Sequence, residues 1–328
     1  MGLLFASAGA AAQNPLHPES LKYRTHFVAF DVQKKTATTI FTIEGEWHSP
    51  NWSADGMHIV SDMGGGLYRI PVSGANRGKP ERIDVGQNRL LTNDHALSWD
   101  GKQIAVTAIA LPLPAKMRSI ADIHNPIFIV NMDGSGAREV HRGWLHGWSP
   151  DSKDLVYAQY PEDNPNTSNI YRVGADGSGE LQMTADKALD DGPEYSGDGK
   201  WVYFCSNRSG KWDGWRMPAD GAGPNSRLAE RITKSRDTQD WFPHISPDGQ
   251  WLYTISFPME HPEHTYIGEG MKIKLLRLKN GEVAKGAELT TVRTFYGGQG
   301  SGNTGGWATD SKKFVWTEYE AIPQPGQK

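Results

Sequence analysis

The chain has a single cysteine, Cys205, in 328 residues. One cysteine excludes an intrachain disulfide and a cysteine metal cluster. It reads as a small buried strand residue between Phe204 and Ser206, with a nucleophile as the alternative. Basic charge is not in excess: the formal net charge is −4, which leaves no electrostatic footprint for nucleic acid. No apolar run is long enough to span a membrane, and no amphipathic helix of useful length is visible. His-Glu-x-x-His and the Gly-x-Ser-x-Gly elbow are both missing, which argues against a helical zinc pair and a serine hydrolase. Gly64-Gly65-Gly66 is followed by neither Lys-Ser nor Lys-Thr, so it reads as a hairpin turn and not a phosphate loop.

What the chain does have is a repeated turn. Ser53-Ala54-Asp55-Gly56, Ser98-Trp99-Asp100-Gly101, Ser149-Pro150-Asp151-Ser152, Ser196-Gly197-Asp198-Gly199, Ser246-Pro247-Asp248-Gly249 and Ala308-Thr309-Asp310-Ser311 are variants of it. Their aspartates lie 45, 51, 47, 50 and 62 residues apart, a period that signals a stacked or radial array. Each turn opens an alternating strand, such as Trp201-Val202-Tyr203-Phe204. About four short strands fit each period, which is one propeller blade. The last repeat lacks its outer strands, while His26 to Val32 and Thr38 to Thr42 supply two unpaired ones. Joining them removes an open edge. The expected fold is therefore an all-β, six-bladed propeller over 26–320, closed by N-terminal strands. A β-solenoid is the competing architecture.

Residues 1–13 are apolar and end in Ala10-Ala11-Ala12, as a secretory-signal remnant does; a disordered apolar tail is the alternative. Residues 14–25 read as a linker and 321–328 as a disordered tail. Insertions stand at Leu111 to Asn125 in blade two and Phe257 to Gly270 in blade five, the second carrying Glu260, His261, Glu263 and His264.

The innermost strand of each blade lines the channel, and here it leads into the repeated turn. Three residues before the turn's first position stand Pro50, His95, His146, Pro193, Pro243 and Gly305; two before it stand Asn51, Ala96, Gly147, Glu194, His244 and Gly306. Five before it stand His48, Asn93, Trp144, Asp191, Trp241 and Asn303, with Asp94, Asp190 and Asp240 adjoining. Such groups are costly to desolvate unless they face water, a ligand or a metal. Each also has a structural reading: the acids and amides cap turns or bond the next blade, the histidines are satisfied structural residues, and the tryptophans pack between blades. The functional expectation assigns His95, His146 and His244 to a divalent metal (Zn, Mn or Ca), and Glu194 and His244 to acid–base work. Asn93, Asp94, Asp191, Trp241, His261, Gln299 and Asn303 are the expected ligand contacts.

The chain resembles the TolB-type propeller-repeat proteins, a group labelled as periplasmic components of the Tol biopolymer transport system. The resemblance is carried by Thr92-Asn93-Asp94-His95-Ala96-Leu97-Ser98, Leu145-His146-Gly147-Trp148-Ser149-Pro150-Asp151, Asp190-Asp191-Gly192-Pro193-Glu194-Tyr195-Ser196 and Trp241-Phe242-Pro243-His244-Ile245-Ser246-Pro247-Asp248-Gly249. Glu260-His261-Pro262 and Gly297-Gly298-Gln299-Gly300 continue it. It implies a stand-alone propeller, periplasmic or secreted, with an envelope protein as a candidate partner. More loosely, the His-rich channel is similar to that of propeller lyases acting on uronate oligosaccharides, where imidazoles hold a metal. The expected activity is binding of a small polar molecule or oligosaccharide, with metal-assisted lyase or hydrolase chemistry. The alternative is a non-catalytic scaffold for a glycan, a peptide or an envelope protein.

Overall fold

The computed structural model describes residues 21–323 apart from 87–88, 111–124, 162–163, 165, 264 and 280. The expected segments 1–13 and most of 14–25, the blade-two insertion and His264 fall outside the described residues. Six sheets form six radial blades.

Blade one holds β3 (His48–Trp52), β4 (His58–Met63), β5 (Gly66–Pro71) and β6 (Glu81–Ile83), and Gly64-Gly65 make the tight turn between β4 and β5. Blade two holds β7 (Arg89–Leu97), β8 (Gln103–Ala110), β9 (Pro126–Asn131) and β10 (Arg138–Arg142). Blade three holds β11 (Trp144–Trp148), β12 (Asp154–Gln159), β13 (Asn169–Gly174) and β14 (Leu181–Gln182). Blade four holds β15 (Asp190–Tyr195), β16 (Trp201–Ser206), β17 (Asp213–Pro218) and β18 (Glu230–Arg231). Blade five holds β19 (Thr238–Ile245), β20 (Trp251–Pro258), β21 (Ile267–Lys279), β22 (Glu282–Val283) and β23 (Thr290–Gly298), with both β22 and β23 pairing with β21. Strand therefore covers the two ends of the expected blade-five insertion, and only 259–266 connects β20 to β21.

Blade six closes the ring. Its sheet runs β2 (Thr36–Glu44), β1 (Leu21–Asp31), β24 (Lys313–Pro323). β1 pairs with β24 from Leu21 opposite Pro323 to Asp31 opposite Lys313. Residues 21–25, read above as linker, are thus strand, and β24 runs past the expected boundary at 320. The alternation of β1 explains its hold on the ring. Phe27 faces a cluster with Trp47, Trp52, Ile59 and Val315, sealing blade six to blade one. Val28 and Phe30 face Trp241, Phe257, Phe314 and Trp316, sealing it to blade five. Successive residues of a strand point to opposite faces, so a single strand serves both seams.

The repeated turn is held by its own side chains. In five blades the serine hydroxyl donates to the aspartate Oδ1 two residues on, at 2.6–2.7 Å. In blade five the same hydroxyl accepts from the Trp251 amide at 2.9 Å, pinning the first residue of the next strand. Ser246 is fully buried. Ser246→Ala is expected to lower stability by about 1 kcal/mol, the usual net worth of such a bond, read as a shift in urea midpoint at unchanged slope.

Each of the five regular innermost strands slips register at the same place: between His48 and Asn51, Leu91 and His95, Leu145 and Gly147, Asp191 and Glu194, and Trp241 and His244. Bulges re-aim side chains, and these re-aim residues of five blades toward the axis.

Candidate functional site

The bulges bring most of the polar residues singled out in the sequence to the axis, but in separate pairs. His48, the most strongly held, donates from Nδ1 to Asp62 at 3.1 Å and from Nε2 to Glu46 at 3.0 Å. Burial works against its charge, yet the two carboxylates outweigh burial and push its pKa up to about 10. His95 lies 3.6 Å from the other oxygen of Asp62 and is only 1% exposed. Burial lowers its pKa, so it sits as a neutral ring beside a charged one.

His146 Nε2 meets Asp191 Oδ1 at 3.0 Å. Burial opposes its protonation, but Asp191 and Asp94 together raise its pKa. Asp94 is itself pushed up to about 6 by burial, tempered by His146, Thr92 and Asn303. His244 Nδ1 lies 2.7 Å from Glu194 Oε2, and its Nε2 lies 2.9 Å from the Gly302 carbonyl.

These pairings do not fit the expected metal. Among the described residues no three His, Cys, Asp or Glu side chains converge on a common point as ligands would. The chemistry of the donors agrees. A metal takes an imidazole lone pair, and both nitrogens of His244 face oxygen acceptors. His95 and His146 are directed at different carboxylates, Asp62 and Asp191. The same geometry leaves His244 no free nitrogen for a substrate proton, so the expected acid–base pair is in contact but committed.

Asn303 donates to Asp94 at 2.5 Å and accepts from Gln299 at 3.2 Å. Asn93 lies half-buried beside Asp94. Trp241 is 1% exposed and stacks on Trp212 at 3.6 Å, so it is a packing residue between blades and not a ligand platform. His261 sits on the β20–β21 connection, where it pairs with Glu263 at 3.1 Å and stacks on Tyr266 at 3.7 Å. None of those contacts involves a channel residue. Asp62 and Glu46, which govern two of the histidines, lie outside the aligned registers.

Where the repeated turns gather, a funnel opens on the axis. All six blades line it: Asn51, Trp52, Trp99, His146, Trp148, Glu194, Pro247, Gly305 and Trp307 are the chief contributors. Its open space, counted out to the mouth, is about 720 Å³. Three tryptophans use their indole N–H to bind blades together: Trp148 to the Ala96 carbonyl, Trp307 to that of His244, and Trp99 to that of Trp148. Three residues of the funnel lining hold a buried polar atom with no hydrogen-bond partner: Asn51 Oδ1, Trp52 Nε1 and His146 Nδ1.

No family model matches the chain. An uncharacterized protein of Agrobacterium fabrum strain C58 is 28% identical over 302 residues, spanning 90% of this chain and 92% of that protein. A solved structure assigned as a TolB from Agrobacterium tumefaciens superposes with TM-score 0.79 at 28% identity, covering 92% of this chain and 99% of that one. TolB from Acinetobacter baumannii gives TM-score 0.56 at 15% identity over 81% of this chain and 65% of that one. An oligogalacturonate lyase in complex with manganese gives 0.50 at 12% identity over 78% and 69% of the two chains, a likeness of fold alone. Among the described residues no helix is long and apolar enough to cross a membrane.

Proposed function

Starting from a six-bladed propeller of the TolB type, we propose that this chain is an extracytoplasmic binding protein, and that the axial funnel is its ligand site. The reading rests on one observation: residues lining the funnel hold buried polar atoms without partners, the acceptor Asn51 Oδ1, the donor Trp52 Nε1 and His146 Nδ1. Buried polar atoms of this kind are costly without partners. A ligand that supplies both a hydroxyl and an acceptor, with an apolar face for the tryptophan walls, matches them. A pyranose ring has that chemistry. The Glu194 carboxylate, one-fifth exposed, adds an acceptor at the floor. We favour binding over turnover because His244 is engaged on both nitrogens. The resemblance to TolB-type proteins supports placement outside the cytoplasm and, secondarily, an envelope protein as partner.

A panel of neutral and acidic mono- to trisaccharides tests this by calorimetry. One member is expected to bind, with Trp99→Ala and Glu194→Gln each weakening it about tenfold, the scale of one or two lost contacts. Circular dichroism of both variants checks that the fold is kept. Affinity unchanged in both variants, or no binding across the panel, overturns the assignment.

A further inference from the structure

Blade six differs from the others. Its sheet has no innermost strand, and the segment that would form it touches β24 through a bridge between Trp307 and Phe314 and the bond from the Val315 amide to Gly306. The residues before it are six glycines in ten, from Gly297 to Gly306. In a six-bladed ring, an innermost strand of blade six adjoins only blades five and one. This segment reaches every blade. His244 of blade five donates to the Gly302 carbonyl. Asn51 of blade one donates to the Gly305 carbonyl at 2.9 Å and to Thr304 Oγ1 at 3.1 Å. Asp94 of blade two accepts from Asn303, and the Asn303 carbonyl favours the proton on His146 of blade three. Glu194 of blade four lies so close that a Cβ at Gly305 would be 2.8 Å from its Oε1. A Cβ at Gly300 would be 2.3 Å from His48 Cδ2. Only glycine lets the backbone approach the ring this closely.

We propose that residues 299–305 are a displaceable plug that closes the axial channel between the funnel and the opposite face. Its side chains are Gln299, Ser301, Asn303 and Thr304, so no apolar anchor holds it. It lacks the ladder that fixes the other innermost strands. Its hold is a set of hydrogen bonds, each of modest net worth, on a backbone with large freedom to regain. Such a segment opens at a cost well below that of unfolding the blades. Its departure turns Asn51, Asp94, His146, Glu194 and His244 from neighbours of the protein's own chain into the lining of a pore.

Two buried thiols in one molecule test this without any ligand, so the result is independent of the funnel assignment. Ser301 and Cys205 are both fully buried, one in the plug and one in β16. In Ser301→Cys, the introduced thiol is expected to react with a maleimide at least ~100-fold faster than Cys205 in native buffer. Rates are normalised to those of the denatured chain and sites are assigned by mass spectrometry. Asn303→Ala in the same background, which removes the bond to Asp94, should raise the plug rate several-fold while leaving Cys205 unchanged. Thr304→Cys serves if Ser301→Cys does not fold. Equal normalised rates at the two thiols, with the same denaturant dependence, overturn the proposal.

Discussion

Deleting the chain through Asp31 is expected to abolish the folded ring. The deletion removes β1, and with it the ladder from Leu21–Pro323 to Asp31–Lys313 and the pairing that holds β2. It also opens two apolar seams at once, because Phe27 serves the blade-one side while Val28 and Phe30 serve the blade-five side. A large aromatic truncated in a core costs about 3–5 kcal/mol. Whole domains are stable by only about 5–15 kcal/mol. Phe27→Ala and Phe30→Ala should therefore each remove a large share of the stability, read from urea unfolding, and the deletion should leave no cooperative transition. Co-expression of residues 1–46 as a separate fragment should restore it. A deletion variant that melts like the full chain would show that the ring holds without strand closure.

Stability is expected to fall by about 2 kcal/mol between pH 6.5 and 8.5, and His48 is the cause. Its folded pKa of about 10 stands above the ordinary 6.5 because Asp62 and Glu46 outweigh the cost of burial. A raised folded pKa stabilises fully below the unfolded value, and the benefit is lost as pH climbs toward the folded one. From 6.5 to 8.5 the folded chain keeps the proton while the unfolded chain gives it up. Asp94 acts with the same sign at lower pH, because burial lifts it from 3.8 to about 6. Its protonated form favours folding, and that contribution declines as pH rises across that interval. His48→Gln should be less stable than the parent at pH 6.5 and show a flatter profile from 6.5 to 8.5 by urea midpoints. A profile as steep as the parent's would remove His48 from the explanation.

The fold could be read because its signals are local and repeated. Ser246-Pro247-Asp248-Gly249 and Trp251 onward specify a turn and a strand in adjacent residues, and five other copies specify the same. Even ring closure was legible, since two orphan strands at one end match a blade short of strands at the other. The site was legible only as a set of candidates. Aligning the turns placed His146, Glu194, His244 and Asn303 near the axis, and there they stand. What the alignment could not show is which partners they meet. Asp62 comes from the second strand of blade one and carries no channel register, yet it bonds His48 and stands 3.6 Å from His95. Trp241 shares its register with Asp191 and Asn303, but Trp212, 29 residues earlier in the sequence, covers it. The glycine-rich run before Trp307 was the one available sign that the ring is filled by its own chain. A β-strand so poor in side chains has little to pack, and that poverty marks a backbone drawn close to other groups.

The antiparallel register of β1 on β24 also has a mechanical consequence. Leu21 and Pro323 lie opposite each other at one end of the ladder. A force pulling these two residues apart loads the hydrogen bonds one after another, as a zipper is opened, and not all together in shear. A protein tethered at both points would give way at this seam at low tension, shedding β1 and β2 before the other five blades bear load. The joint that makes the ring whole in solution is thus also its softest under tension.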